Sequence, residues 1–186
     1  MPILTKLISR DDLLKVENLL CHVGEILLQH KDDAEWKTLI SLKGLKTTAD
    51  EKMNMLLMDG LGAITPKIPI YSEECKHLIS DRSSTYWLLD PIDGTASWLE
   101  GYPGYVNQLA LIHENQPIYG LIYHPPTHRL WSSGYDGLVR INNIPFKPKE
   151  RISREIKIID NYPEPKGLTK FIYDNLRATA YVECGS

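Results

Sequence analysis

A mixed α/β (α+β) layered domain is the fold class predicted for this chain of 186 residues. Three observations predict it: helical apolar spacing in the first third, strand-like spacing from about residue 68 onward, and no internal repeat or low-complexity linker between them. Helices followed by strands in one chain call for a helical layer packed on a sheet. In order, Leu13, Leu14, Val16, Leu19, Leu20, Val23, Ile26 and Leu27 predict an amphipathic helix over Asp11 to His30, capped by Ser9 or Asp11. Lys31-Asp32-Asp33 reads as its solvated end. A second helix is predicted from Ala49 to Leu61, with Thr48 at its start, Asp50 and Glu51 in its first turn, and Gly60 and Gly62 closing it. Met53, Met55 and Met58 read as core filler.

Strands are predicted at Ile68 to Tyr71, Tyr86 to Leu89, Val106 to His113, Ile118 to Tyr123 and Leu130 to Ser132. Glu114-Asn115-Gln116-Pro117 is a hairpin turn, and His124-Pro125-Pro126-Thr127 a connector unsuited to a central ladder. The tail adds a strand over Glu155 to Ile159, the turn Pro163-Glu164-Pro165 and a helix over Leu168 to Leu176.

With 42% hydrophobic and 24% charged residues, the composition is that of an ordinary globular domain. A net charge of −3 without any Lys/Arg block argues against a nucleic-acid polymer or an anionic membrane as partner. No segment approaches the roughly 20 apolar residues of a membrane span, and Met1 to Lys6 lacks a leader pattern, so the expectation is cytoplasmic. Cys21, Cys75 and Cys184 are widely spaced and fit neither a disulfide framework nor a zinc site.

The chemistry concentrates at Asp90-Pro91-Ile92-Asp93-Gly94-Thr95, where an apolar strand delivers two carboxylates, a glycine and a hydroxyl to one place. Taken alone, the hexapeptide also reads as an Asx turn leading into a helix cap. Glu73 and Glu74 follow another strand, and Asp50 opens a helix. Neighbouring strands that both end in carboxylates repel unless a cation sits between them, and oxygen-only donors favour Mg²⁺, Mn²⁺ or Ca²⁺. A helix starting at Gly94-Thr95 would present free N–H groups to an anion. Metal and anion sites side by side suit metal-assisted hydrolysis of a phosphate ester.

Trp87-Leu88-Leu89-Asp90-Pro91-Ile92-Asp93-Gly94-Thr95 resembles the signature of the inositol-monophosphatase-like, Mg²⁺-dependent, lithium-sensitive phosphatases. Thr47-Thr48-Ala49-Asp50 is similar to that family's Thr-x-Ala-Asp element, and Val106 to Ile112 with Pro117 to Tyr123 to its following hairpin. Ile64 to Glu74 resembles the 3'(2'),5'-bisphosphate nucleotidase, CysQ-like branch. The resemblance covers about residues 10 to 135 and implies the N-terminal part of the sugar-phosphatase fold. It implies that Glu73, Asp90, Asp93 and the Ile92 carbonyl hold Mg²⁺, and that Gly94 and Thr95 hold the substrate phosphate. It further implies that Thr95 with Asp50 orients the attacking water and that Glu74 assists a weaker metal. The implied reaction is hydrolysis of a small phosphorylated substrate by metal-activated water. A 3'-phosphoadenosine 5'-phosphate substrate stands first and an inositol or sugar monophosphate second; a homodimer is allowed for.

Two stretches depart from the family pattern. Lys43-Gly44-Leu45-Lys46-Thr47 lacks the usual Asp and Ser-Pro. Glu183-Cys184-Gly185-Ser186 resembles the opening of a second half, with its Trp-Asp-x-Ala metal element, that would follow. Residues 1–186 therefore read as a domain truncated before that half, with weak activity alone or none; an inert metal- or phosphate-binding domain is the alternative. The six histidines show no metal spacing, and Trp98, Tyr102 and Tyr105 serve either to stack on a base or to cover the loop.

Overall fold

The computed structural model describes residues 3–41, 45–75, 83–133, 136–147, 156–160 and 164–183. A short α1 (Leu4–Leu7) leads into α2 (Arg10–Gln29), a hairpin of β1 (Leu39–Ser41) and β2 (Lys46–Thr47), and α3 (Thr48–Ile64). Then come β3 (Ile70–Ser72), β4 (Thr85–Asp93), α4 (Thr95–Glu100), β5 (Val106–His113), β6 (Gln116–His124), β7 (Arg129–Ser133), β8 (Val139–Ile141) and β9 (Ile144–Pro145). The last described elements are β10 (Lys157–Asp160), α5 (Gly167–Asn175) and β11 (Ala180–Glu183). Strands β3 to β9 form one sheet in chain order, parallel between β3 and β4 and antiparallel thereafter. The layered α/β prediction holds.

Helices α2 and α3 cover one face of this sheet. Leu13, Val16, Leu20, Val23 and Leu27 of α2 interlock with Met53, Leu57 and Leu61 of α3 and with Trp87, Leu89, Leu109, Leu111 and Leu121 of the strands. Each such buried aliphatic side chain contributes about 1.5–3 kcal/mol. Met55, on the outer side of α3, is 58% exposed and does not fill the core. Ser9 caps α2 by accepting from Asp12 N–H at 3.0 Å. Among the described residues the opposite sheet face remains open, with Leu88, Ile122 and Val139 exposed. No helix among the described residues is long and apolar enough to cross a membrane.

Gln116 and Pro117, read as turn residues, belong to β6 and pair with His113 and Ile112, and two further element ends shift. Gly60 and Gly62 do not end α3, which runs to Ile64. A Cβ at Gly60 would lie 2.5 Å from Leu19 Cδ1, so this glycine serves the close contact between α3 and α2. Nor does β4 stop at Leu89; it continues to Asp93. The β8–β9 hairpin, absent from the prediction, turns on Asn142 and Asn143, at φ 49° and 65°. That pair has the primed-turn chemistry also used at Glu114-Asn115 between β5 and β6. The predicted strand start at Glu155 and the turn residue Pro163 lie outside the described residues.

Candidate active site

Asp90 and Asp93 stand three residues apart, and in a regular strand that odd spacing sends their side chains to opposite faces. The pairing resolves this. Asp90 faces Gln108 and Asp93 faces Val106, three steps on β4 against two on β5, so β4 carries one extra residue. The bulge returns Asp93 to the open face that Asp90 occupies. Pro91 lies within it, where a missing N–H is tolerated. Parallel β3 sets Tyr71 beside Leu88 and Ser72 beside Leu89, and Glu73 N–H extends the ladder to the Leu89 carbonyl at 3.0 Å. Glu73 thereby arrives next to Asp90. Burial first, then the Glu73 and Asp93 charges, push the Asp90 carboxyl up to about 7.

The helical side supplies the other half. Asp50, 2% exposed, caps α3: its Oδ2 accepts from Thr47 N–H at 2.7 Å and Thr47 Oγ1 at 2.6 Å. Its Oδ1 accepts from Thr95 Oγ1 at 2.9 Å, across 45 residues of sequence. The Thr95 hydroxyl also lies 3.1 Å from the Ile92 carbonyl. Gly94 holds a left-handed φ of 93°, which turns the end of β4 into α4. A Cβ there would fall 2.3 Å from the Gly104 carbonyl oxygen, so loop and turn are packed backbone to backbone.

Glu73, Asp90, Asp93, Ile92, Gly94, Thr95 and Asp50 are thus neighbours at one end of the sheet. Glu74 is placed differently from its expected role: its carboxylate is 2.5 Å from Lys46 Nζ, which also lies 3.5 Å from Glu51. Lys46 thus neutralises Glu74. Among the described residues no three His, Cys, Asp or Glu side chains converge closely enough to grip an ion as they stand. Asp93 instead accepts a hydrogen bond from Gln108 Nε2.

Trp98 is 1% exposed and belongs to the core, which removes it as a stacking platform. Tyr105 is buried too, although it borders a cavity of about 590 Å³ with Asp93, His124 and Trp131; Tyr102 is half-buried. His30 stacks on Trp36, His113 bonds Thr85, and His128 pairs with Glu25, all structural uses. His77, Cys184 and the Lys43-Gly44 departure lie outside the described residues. Sequence reasoning misses Asn107, Gln108 and Lys46 as site residues. Two amides interrupting the apolar run of β5 are the available signal for the first two.

A family model described as the inositol monophosphatase family matches residues 10–171. The chain belongs to that family. Inositol-monophosphatase structures share the fold: the Thermotoga maritima IMPase superposes with TM-score 0.72 at 22% identity, covering 95% of this chain and 69% of its own. The extragenic suppressor protein suhB of Bartonella henselae gives TM-score 0.72 at 20% identity, with 94% and 70% covered. Among curated relatives in the family, the 3'(2'),5'-bisphosphate nucleotidase CysQ of Escherichia coli O157:H7 is 31% identical over 116 residues, 60% of this chain and 47% of the relative. An inositol-1-monophosphatase of Mesorhizobium japonicum is 28% identical over 124 residues, covering 65% and 45%. The chain spans about half the length of the curated relatives it matches.

Proposed function

We propose that this chain carries the metal- and phosphate-binding portion of a Mg²⁺-dependent phosphomonoesterase of the cytoplasm. The observation that supports it is the meeting of two devices at one sheet end: Glu73, Asp90 and Asp93 on the open face, and the Asp50–Thr95 pair beside them. The donors are all oxygens, and the crowding that holds the Asp90 proton is the crowding a divalent cation relieves. A structure described as an IMPase/NADP phosphatase complexed with Mg²⁺ and phosphate shares the fold at TM-score 0.68. In this chain Glu73, Asp90, Asp93 and the Ile92 carbonyl would hold the ion, which supplies Lewis-acid stabilisation of a phosphoryl oxygen and a more acidic water.

The chain's own residues do the rest. While Thr95 Oγ1 donates its proton to Asp50 Oδ1, its lone pairs remain free to accept from a water and aim it. Asp50, fixed by Thr47 on its other oxygen, is positioned to receive the proton passed through Thr95. The Gly94–Thr95 turn brings backbone, without a side chain in between, to where the substrate phosphate would sit.

For the substrate we favour 3'-phosphoadenosine 5'-phosphate over an inositol or sugar monophosphate. CysQ proteins of several bacteria match at about 30% identity, and the Ile64 to Glu74 segment resembles that branch. The test is phosphate release from both substrate types with Mg²⁺, using Asp93→Asn as control. Release by Asp93→Asn equal to the parent's would overturn the metal assignment. Faster release from inositol 1-phosphate would overturn the substrate. Divalent-ion binding without turnover by the parent would identify a binding domain instead.

A further inference from the structure

We infer that Asn107 and Gln108, two consecutive amides on β5, are positioning residues that lock the β4 bulge and so hold Asp90 and Asp93 on one face. This rests on the reading that those acids bind a divalent cation. The period of two on β5 sends the amides in opposite directions: Asn107 is fully buried with Leu109 and Leu111, and Gln108 faces the open side with Ala110. The bulge removes one ladder bond, and Pro91 has no N–H to offer another. Asn107 repairs the loss. Its Nδ2 donates to the Pro91 carbonyl at 2.5 Å, from beneath the bulge.

Among the described residues, that bond alone orients the amide. Its Oδ1 is buried without a hydrogen-bond partner. It points at α2, where a Cβ on Gly24 would come within 2.6 Å of it. The helix therefore leaves room for this side chain while giving it no donor. A buried polar group kept in an apolar layer at that cost has its use at its other atom, the Nδ2 donor. On the open face Gln108 Nε2 donates to Asp93 Oδ2. Asp90 Oδ1 accepts from Ile92 N–H at 3.1 Å, and Thr95 Oγ1 reaches the Ile92 carbonyl. The bulge is thus held from below by Asn107 and from above by Gln108. If the bulge slipped out, Asp93 would turn to the helical face and the acids would separate.

The experiment is Mn²⁺ titration of the purified chain, followed by calorimetry and by electron paramagnetic resonance, without substrate. Asn107→Asp keeps shape but replaces the donor with an acceptor facing the Pro91 carbonyl; Gln108→Leu removes the upper partner at a site that does not endanger folding. Both should weaken Mn²⁺ binding about 10- to 100-fold, the range for partners that orient metal ligands. Tyr119→Phe, which cuts an unrelated buried hydrogen bond to Glu17, should leave binding unchanged. Binding by folded Gln108→Leu and Asn107→Asp within about twofold of the parent would overturn the inference. Should Asn107→Asp not fold, Gln108→Leu decides alone. No Mn²⁺ binding by the parent, or equal binding by Asp93→Asn, would overturn the underlying metal reading instead.

Discussion

Gly94→Ala tests whether the β4–α4 turn is fixed by backbone contact. Two costs add at this position. The left-handed φ of 93° costs an L-residue about 1–2 kcal/mol. The new Cβ would also stand 2.3 Å from the Gly104 carbonyl oxygen and 3.1 Å from Tyr105 Cα, both backbone atoms that no rotamer change can move. Overpacking of this kind costs about 1–3 kcal/mol, for a total of about 2–5. Gly101 supplies the internal control, since it ends α4 at φ 84° with nothing within 4 Å of an added Cβ. Gly101→Ala should therefore lose only about 1–2 kcal/mol. Urea unfolding at equilibrium measures both, with the slope checked for constancy. Equal destabilisation of the two variants, within about 0.5 kcal/mol, would refute the argument that Gly94 is held by Gly104.

Thr95→Val, which keeps volume but removes the hydroxyl between Asp50 and the site, should lower phosphate release about 100-fold or more while leaving Mn²⁺ affinity within about twofold. Thr65→Val deletes the acceptor of the buried Trp87 Nε1–H, now bonded at 2.9 Å, and should cost about 1–3 kcal/mol in the same urea assay. Burial first, then the Glu17 and Glu25 charges, push the Cys21 thiol up to about 11. A raised thiol pKa means less thiolate at a given pH, so iodoacetamide should label exposed Cys75 well before Cys21, as peptide mass mapping would show. Cys21 labelling should climb about tenfold per pH unit until the buffer approaches that value. Glu25 is shifted down on balance: burial raises it, but hydrogen bonds from Tyr123 and His128 outweigh burial. Its stabilising contribution is present above the unfolded carboxylate's range and lost as pH falls through the lowered value, so His128→Ala should reduce the acid-side loss of Tm.

The helical layer is legible in the sequence because α2 and α3 meet the sheet through side chains at regular spacing, and periodicity records that directly. The exceptions have local causes. Gly60 carries the signature of a helix end, yet its role depends on Leu19, far away in sequence and beside it in space. Lys46 sits in a stretch that departs from the family pattern, but its pairing with Glu74 arises only when β2 folds against the end of β3. Trp98 follows the Gly94–Thr95 turn and carries a ring suited to stacking; the short α4 directs that ring into the core.

The Asp90–Asp93 pair shows what a finer reading of sequence demands. The residue types point to a cation, and the polar break after the apolar run places the strand end at Leu89. Both acids on one face, three residues apart, in a chain still paired to β5, are compatible only with an added residue between them. A proline in that interval strengthens the deduction, because a bulge is the interior position that accepts it. The partner strand must then supply a donor to the orphaned carbonyl, and an amide at a position due to be buried is the residue that can. Asn107 interrupts Val106 to Ile112 at such a position. The odd spacing of the acids, the proline between them and the buried amide on the next strand form one linked pattern, and each member is explained only by the other two.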